Sequence, residues 1–554
     1  MSPSTPALAA LLAALLLVSG SAAKAAPVLQ LALREEGQTR LWHLPVQGEA
    51  EPRPAADAAA LRAPLGSLWK LFVHAWLQAH AAQEPAFECR GQHRDEVYCC
   101  EPGQRIEREQ ALLKSCGLYY APERLGIAAL DWQHYWQQRG APEWLQQLAA
   151  MRPDSEVPVA ELLRELERLP AREAIQTQLA AALVQQPEAV FDALGAQLRI
   201  KTWSWHRGSE DRRIGGFAGW RSDGRALWAQ GQGTSRSVLQ RHAAAIARLL
   251  PPARTLQAGE CVEVRMFARY PLARIEPLDG SPAPRGALQG RYRLHFARGN
   301  TLSIESGGEL LVQDEAGVPQ ILARLSREDY VARVLQREGH TDNRTAARVL
   351  AIAIRSYLAQ QAETGSSCLR IDDSSSRQRV SPRPASAEAR EAAAFSEGLV
   401  LAGMPVQYHA DQAAPGQLSW AQLLRDAQGG APVQALLRQT WPQAELVAWG
   451  RAQTQCEALP EAQAWLAMQR PRWRRLLDAE FGHEERPEVQ VCRLRSGRPF
   501  ADRARQRVHI RGLRSQQDQL DLTHEYLHLA FEAHPHGQDE DFIEAWARRL
   551  VLGQ

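Results

Sequence analysis

The stretch APLGSLWKLFVHAWLQAH, residues 63–80, decides how the first part of this chain is read. Its apolar positions recur at helical spacing, so a helix is expected, with Ser67 and Lys70 one turn apart near its start. A serine hydroxyl is a weak nucleophile until a base takes its proton, and a desolvated lysine one turn away can do that. The plain structural alternative is an ordinary helix start with Ser67 as its cap.

Working outward, EPGQRIEREQALLKSCGLYYAPERLGI (101–127) follows, and then LRIKTWSWHRGSEDRRIGGFAGWRSDGRALWAQGQ (198–232), which reads as strands joined by an Asp223-Gly224 turn. In order and spacing these segments resemble the penicillin-binding transpeptidase and β-lactamase superfamily, whose motifs are S-x-x-K, S-x-N and K-T-G. The resemblance implies a serine transpeptidase-like domain over residues 26–240, with Ser67, Lys70, Ser115, Lys201 and Thr202 at its catalytic positions. Gly117 stands where the family has Asn, and Trp203 where it has Gly to let a substrate backbone come close. The resemblance therefore implies the fold more directly than a working acyl-enzyme.

A chain of 554 residues is too long for one core, so several domains are expected. The 65 Lys plus Arg balance 63 Asp plus Glu, which leaves no large field to attract nucleic acid. The one basic run, RPRWRRLLD from Arg470, reads as the solvated face of a helix. ALAALLAALLLVSG near the start, followed by SAAKAAP, is too short to span a membrane and fits a signal peptide over residues 1–25. No later stretch is apolar enough to be a transmembrane helix, so a periplasmic or secreted protein is expected. In an oxidising compartment Cys89, Cys99, Cys100 and Cys116 read as disulfide partners rather than metal ligands, with three pairings open.

From CVEVRMFARYPLARIEPLDG (261–280) the pattern is short alternating strands, and from SREDYVARVLQREGH onward it becomes helical. Tyr330, Val331, Val334 and Leu335 share one helix face, Val349, Leu350, Ile354, Tyr357 and Leu358 another, and Ser326 is the expected cap of the first helix. Asp329-Tyr330, VLQRE and AIAIRSY resemble the pattern of the SpoIID/LytB peptidoglycan lytic transglycosylases. That resemblance implies a SpoIID-like α/β domain over 258–430, with Glu338 as the carboxyl that protonates a leaving glycosidic oxygen, and Arg355 and Tyr357 lining the same groove.

The third segment, 431–554, contains DLTHEYLHLAFEAHPHG (521–537). A helix beginning near Asp521 or Thr523 would put His524 and His528 on one face, able to hold Zn2+, with Glu525 as base. His534 and Glu540 are both candidates for the third ligand, Glu540 preferred because HPHG reads as a turn between two helices and Gly537 as a C-cap. This resembles the HExxH zincin metallopeptidases and implies a zincin-like helical or α+β domain.

The expected whole is a multidomain α+β protein, and in overall arrangement it resembles a secreted bacterial multidomain family. Peptidoglycan or muropeptides, with envelope proteins as a further class, are the expected partners. The reading is an exported peptidoglycan-processing or envelope hydrolase with a zinc peptidase site; the alternative is a largely non-catalytic wall-binding scaffold.

Overall fold

The computed structural model describes residues 28–553 apart from 46–51, 56, 57, 59, 81–83, 90–101, 104, 207–212, 251–260, 280–284, 316, 365–367, 376, 409–415, 451–455, 495–498 and 538. The expected signal peptide, Cys99 and Cys100 lie outside the described residues; Cys89 and Cys116 are both disulfide-bonded. The described residues form a multidomain, mixed α/β protein.

The first unit is built on a six-stranded antiparallel sheet in the order Arg53–Ala55, Gln38–Pro45, Val28–Glu35, Ala226–Gln232, Arg213–Arg221, Leu198–His206. Alternation along each strand sends side chains to opposite faces. Leu29, Leu31, Leu33, Phe217, Leu227 and Ala229 enter one core. Ala32, Ala218, Trp220 and Trp228 enter the other, together with Trp203 and the helix α1, Trp69–Ala79. Lys201 and Trp203, two residues apart on the edge strand, thus face the layer that contains Ser67. The Asp223-Gly224 turn forms as expected, with Gly224 at φ +79°.

The middle unit carries a seven-stranded sheet in the order Leu272–Pro277, Gly286–Phe296, Thr301–Glu315, Val318–Ser326, Cys261–Met266, Cys368–Asp372, Glu363–Thr364. Its neighbours are antiparallel except Cys261–Met266 with Cys368–Asp372, which are parallel and joined at their first residues by the Cys261–Cys368 disulfide. A parallel pair needs a long crossover. Two helices complete it: α2, Arg327–Glu338, and α3, Arg344–Gln361. Ser326 caps α2 through the Asp329 N–H at 3.2 Å, and Asn343 caps α3 through the Ala346 N–H at 2.9 Å. The spacing-derived core positions are buried, with Tyr357 half-buried. Val433, Leu436, Trp441, Val447 and Trp449 pack in the same core as Phe395 and Leu399, and the next core begins at Leu459.

In the last unit the strands Gln490–Arg493, Arg507–Ile510 and Phe500–Asp502 lie side by side, in that order, under α4, Gln516–Ala530. Helix α5, Glu540–Leu552, packs on α4. The helix α4 starts earlier than Asp521 because Ser515 and Asp518 form a capping box. Cys456 and Cys492 are bonded.

The first two units are joined through buried charge. Arg355, fully buried, donates to Glu328 from Nε at 3.0 Å and Nη2 at 2.6 Å, and its other donors reach Ser396, Leu399 and Ala393. This corrects the expectation that Arg355 lines a groove: every side of its guanidinium is occupied by protein. Burial pushes the Glu328 carboxyl up, and Arg355 and Arg327 more than reverse this, holding it below the usual carboxylate range. Arg199 of the first unit's edge strand reaches the Glu397 carbonyl at 3.0 Å, beside that pair. Removing one partner of a buried ion pair strands the other charge. Glu328→Gln is therefore expected to destabilise the protein by about 3–5 kcal/mol; an apparent Tm within a degree of wild type would contradict the pair's structural role.

Candidate functional site

Ser67 lies in the short turn Gly66–Leu68 that runs into α1 and makes no capping hydrogen bond. Lys70, almost fully buried, donates from Nζ to the Ser115 carbonyl at 2.6 Å, and Ser115 holds a left-handed φ of +59°. Lys201 is buried on the edge strand, its Nζ 2.8 Å from the Thr202 carbonyl; Thr202 is half-buried. The fold thus brings the three motif segments together. Trp203 alters the space they enclose. Its buried indole packs on Gly66 so closely that a Cβ there would stand 2.9 Å from the ring, and it stacks on Trp228.

In the middle unit Glu338 ends α2, half-buried. Its Oε1 accepts from the Arg379 N–H at 2.6 Å and its Oε2 from the Tyr408 hydroxyl at 3.0 Å. Behind Tyr408 stands the buried Gln378, whose Nε2 donates to the Tyr408 oxygen at 2.5 Å and to the Ile354 carbonyl at 3.1 Å, while its Oε1 accepts from Tyr330. Both ends of the amide are fixed, so Tyr408 can only donate towards Glu338. Tyr357 meets the Tyr408 ring edge-on at 5.9 Å. Burial, then the Glu338 charge, pushes the Tyr408 hydroxyl far above its ordinary range. Gln378 sits at an isolated bridge with Asp373 and Tyr408 ends the two-residue strand Gln407–Tyr408, segments too short for a periodicity to mark them, and the sequence reading missed both.

The third constellation is the tightest. His524 and His528 stand one turn apart on α4, and Glu540 opens α5 opposite them. His524 Nε2 is 3.2 Å from His528 Nε2 and 3.0 Å from Glu540 Oε2; His528 Nε2 is 3.7 Å from Glu540 Oε1. The outer nitrogens are engaged: His528 Nδ1 with the Gly537 carbonyl at 3.1 Å, His524 Nδ1 with Glu544 at 3.2 Å. A carbonyl and a carboxylate can only accept, so both Nδ1 atoms carry the proton, and in the neutral rings both Nε2 atoms are lone pairs. Two lone pairs and a carboxylate oxygen converge on one point, which requires a cation there. A proton on His524 is one solution: burial opposes its charge, but Glu540, Glu525 and Glu544 raise its pKa above the ordinary histidine value. A metal is the other. Tetrahedral bonds of about 2.0–2.1 Å place ligand atoms about 3.3 Å apart, and the observed separations fit.

Glu525 lies beside these groups, half-buried; burial pushes its carboxyl up, and His528 and His524 partly offset this. His534 is elsewhere. Its ring stacks on Phe542 at 4.5 Å and its Nδ1 accepts from the His536 N–H, so it is no part of the cluster. Gly537 is not the C-cap of α4, which ends at Ala530; its carbonyl orients His528, and a Cβ on it would collide with the Phe531 carbonyl. Glu544, the partner of His524, was missed, although its spacing of four from Glu540 put both on one face of α5.

A family model described as predicted secreted protein (DUF2300) matches residues 91–211 and 416–536. The uncharacterized protein YfaQ of Escherichia coli (strain K12) is 44% identical over 527 residues, covering 95% of this chain and 96% of that protein. Among solved structures, a class D β-lactamase from Bacillus subtilis is similar at 13% identity, over 41% of this chain and 92% of that one, with a TM-score of 0.29. A class D β-lactamase from Nostoc matches at 14% identity, over 40% and 94%, with a TM-score of 0.26. No helix of the described residues is long and apolar enough to cross a membrane.

Two histidines near these sites are held neutral. His74, on α1, is fully buried against the Tyr120 hydroxyl at 2.8 Å, and burial, then Arg108, lowers its pKa to about 3. His509, stacked on Phe500, is lowered to about 3 by burial and then by Arg507 and Arg505. Above the unfolded value near 6.5 neither state binds the proton; below it only the unfolded chain does, so stability is lost as pH falls from about 6.5 towards 3. Each histidine should cost about 1.4 kcal/mol per pH unit over that window. Urea midpoints at pH 7 and pH 5 should separate clearly for wild type and less for His74→Phe; equal separations would refute the assignment for His74.

Proposed function

The chain belongs to the family of predicted secreted proteins designated DUF2300, and on that premise we propose that its last unit is a zinc-dependent hydrolase of peptide bonds acting outside the cytoplasm. The observation that carries this reading is the convergence of His524 Nε2, His528 Nε2 and a Glu540 oxygen, each imidazole oriented from behind. These three residues would hold the ion, and Zn2+ there would supply Lewis-acid polarisation of a scissile carbonyl. Glu525 takes the proton from the attacking water and passes it to the leaving amine; its burial suits a base tuned towards neutral pH. Muropeptides or envelope proteins supply the peptide bonds.

Metal content decides the matter. Purified residues 26–554 should carry about one zinc per chain by elemental analysis. His524→Ala should lose it, and Glu540→Ala should bind it more weakly. Glu525→Gln should keep it and lose about 10²–10⁴-fold in peptide hydrolysis. A chain that stays zinc-free after reconstitution removes this function.

A second reading, favoured by Trp203, concerns the first unit. With an indole against Gly66 and no amide at Gly117, that unit serves as a wall-binding scaffold rather than an acyl-enzyme. Fluorescent penicillin should leave the denatured protein unlabelled on a gel, and a label that disappears in Ser67→Ala would show a live serine.

A further inference from the structure

Alternation along Arg507–Ile510 sends Val508 and Ile510 into the core under α4 and leaves His509 on the other face of the small sheet, stacked on Phe500 at 4.5 Å. That face meets the end of α3, where Arg505 Nη1 donates to the Ala359 carbonyl at 2.6 Å and Arg503 lies 3.7 Å from Glu363. The two surfaces do not close on each other. Between them is a cavity of about 260 Å³, in which Leu401 and Ala402 of the middle unit and Leu494 and Phe500 of the last supply apolar wall. Arg505, His509, Asp502, Arg493, Glu457 and Glu445 supply its polar groups. It shares no residue with the sites around Ser67, Glu338 or His524.

The polar groups are graded from floor to mouth. Asp502 is buried and accepts from Arg505 Nη1 at 2.9 Å and from the Arg505 N–H at 3.2 Å. The rest of that guanidinium is less well served: Nε is buried with no hydrogen-bond partner, and Nη2 makes no hydrogen bond to any described residue. The ring nitrogens of His509 make none either, and with the ring held neutral one is a donor and the other an acceptor. Nearer solvent, Glu445 is exposed, and Glu457 stands 3.2 Å from Arg493. The Arg505 side chain is 13% exposed and that of Glu457 52%, so cationic donors lie deep and carboxylates lie at the opening.

A lining of both signs disfavours a net anion, which would meet three acids, and a net cation, which would meet two arginines. The volume falls just below the range of about 300–1,000 Å³ that takes drug-sized ligands, which suits a smaller molecule. We propose that this cavity binds a small zwitterion, an α-amino acid with an apolar side chain: its carboxylate on Arg505 and His509, its ammonium at Glu445 and Glu457, its side chain against Leu401, Leu494 and Phe500. Because the lining comes from two units, occupancy bridges them and stabilises the folded chain. The assignment does not rest on the zinc reading, and its failure would leave that reading standing.

Calorimetric titration and thermal melting of residues 26–554 test it with L-leucine and L-phenylalanine, with N-acetyl-L-leucine, which lacks the ammonium, and with L-leucinamide, which lacks the carboxylate. A free amino acid should bind and raise the Tm, and each blocked form should bind about tenfold more weakly or worse. His509→Phe keeps an aromatic ring beside Phe500 and removes both nitrogens, and Glu445→Gln removes a charge at the mouth. Each should weaken binding about tenfold or more, with zinc content unchanged. Should His509→Phe melt early, Glu445→Gln, a change confined to an exposed side chain, makes the same comparison. The proposal is overturned if neither free amino acid binds, if the blocked forms bind as tightly, or if the folded variants bind as wild type does.

Discussion

The ion pair between Arg355 and Glu328 is the constraint around which the first two units are arranged. A guanidinium at zero exposure is tolerable only when each donor has an acceptor, and here those acceptors come from α2, from the helix ending at Phe395 and from the strand that follows. Once these segments are pinned, the neighbouring Arg199–Glu397 contact sets the edge strand of the first sheet against the middle unit. The strand pinned in this way is the one that carries Lys201 and Trp203. Folding of the junction and the shape of the first site are therefore one problem.

The three candidate sites differ in how far their side chains have been diverted into structure. At Ser67 the neighbouring lysines bind backbone carbonyls and an indole fills the approach. At Glu338 the carboxylate is held by Tyr408 and a loop N–H but still faces solvent. At His524, His528 and Glu540 the side-chain polar atoms point at one another. The proposal of hydrolysis in the last unit rests on that convergence of two imidazoles and a carboxylate.

Much of this was legible in the sequence where chemistry follows a period. The helical faces from Tyr330 to Leu358, the Ser326 cap and the His524/His528 pair all depend on spacings of three and four, which a helix converts directly into neighbours. Glu540 was legible because a turn signal separated two helical patterns. What was not legible came from contacts between distant segments. Arg355 reads as a groove residue until Glu328 is seen beside it, Gln378 is silent until Tyr330 and Tyr408 enclose it, and the start of α4 depended on a capping box that opens six residues before Asp521. His534 and Glu540 could be separated only by the turn that sends one ring against Phe542.

The contact between Gly66 and Trp203 bears on which substitutions this chain can accept. A glycine at 66 is compulsory while the indole is present, and the indole fills its space only while 66 lacks a side chain. Placing glycine at 203 alone would open a void in a tryptophan-lined core, and enlarging 66 alone would drive it into the ring. Each position locks the other, so a single substitution at either is penalised by packing, and a change at one is accommodated only with a change at the other.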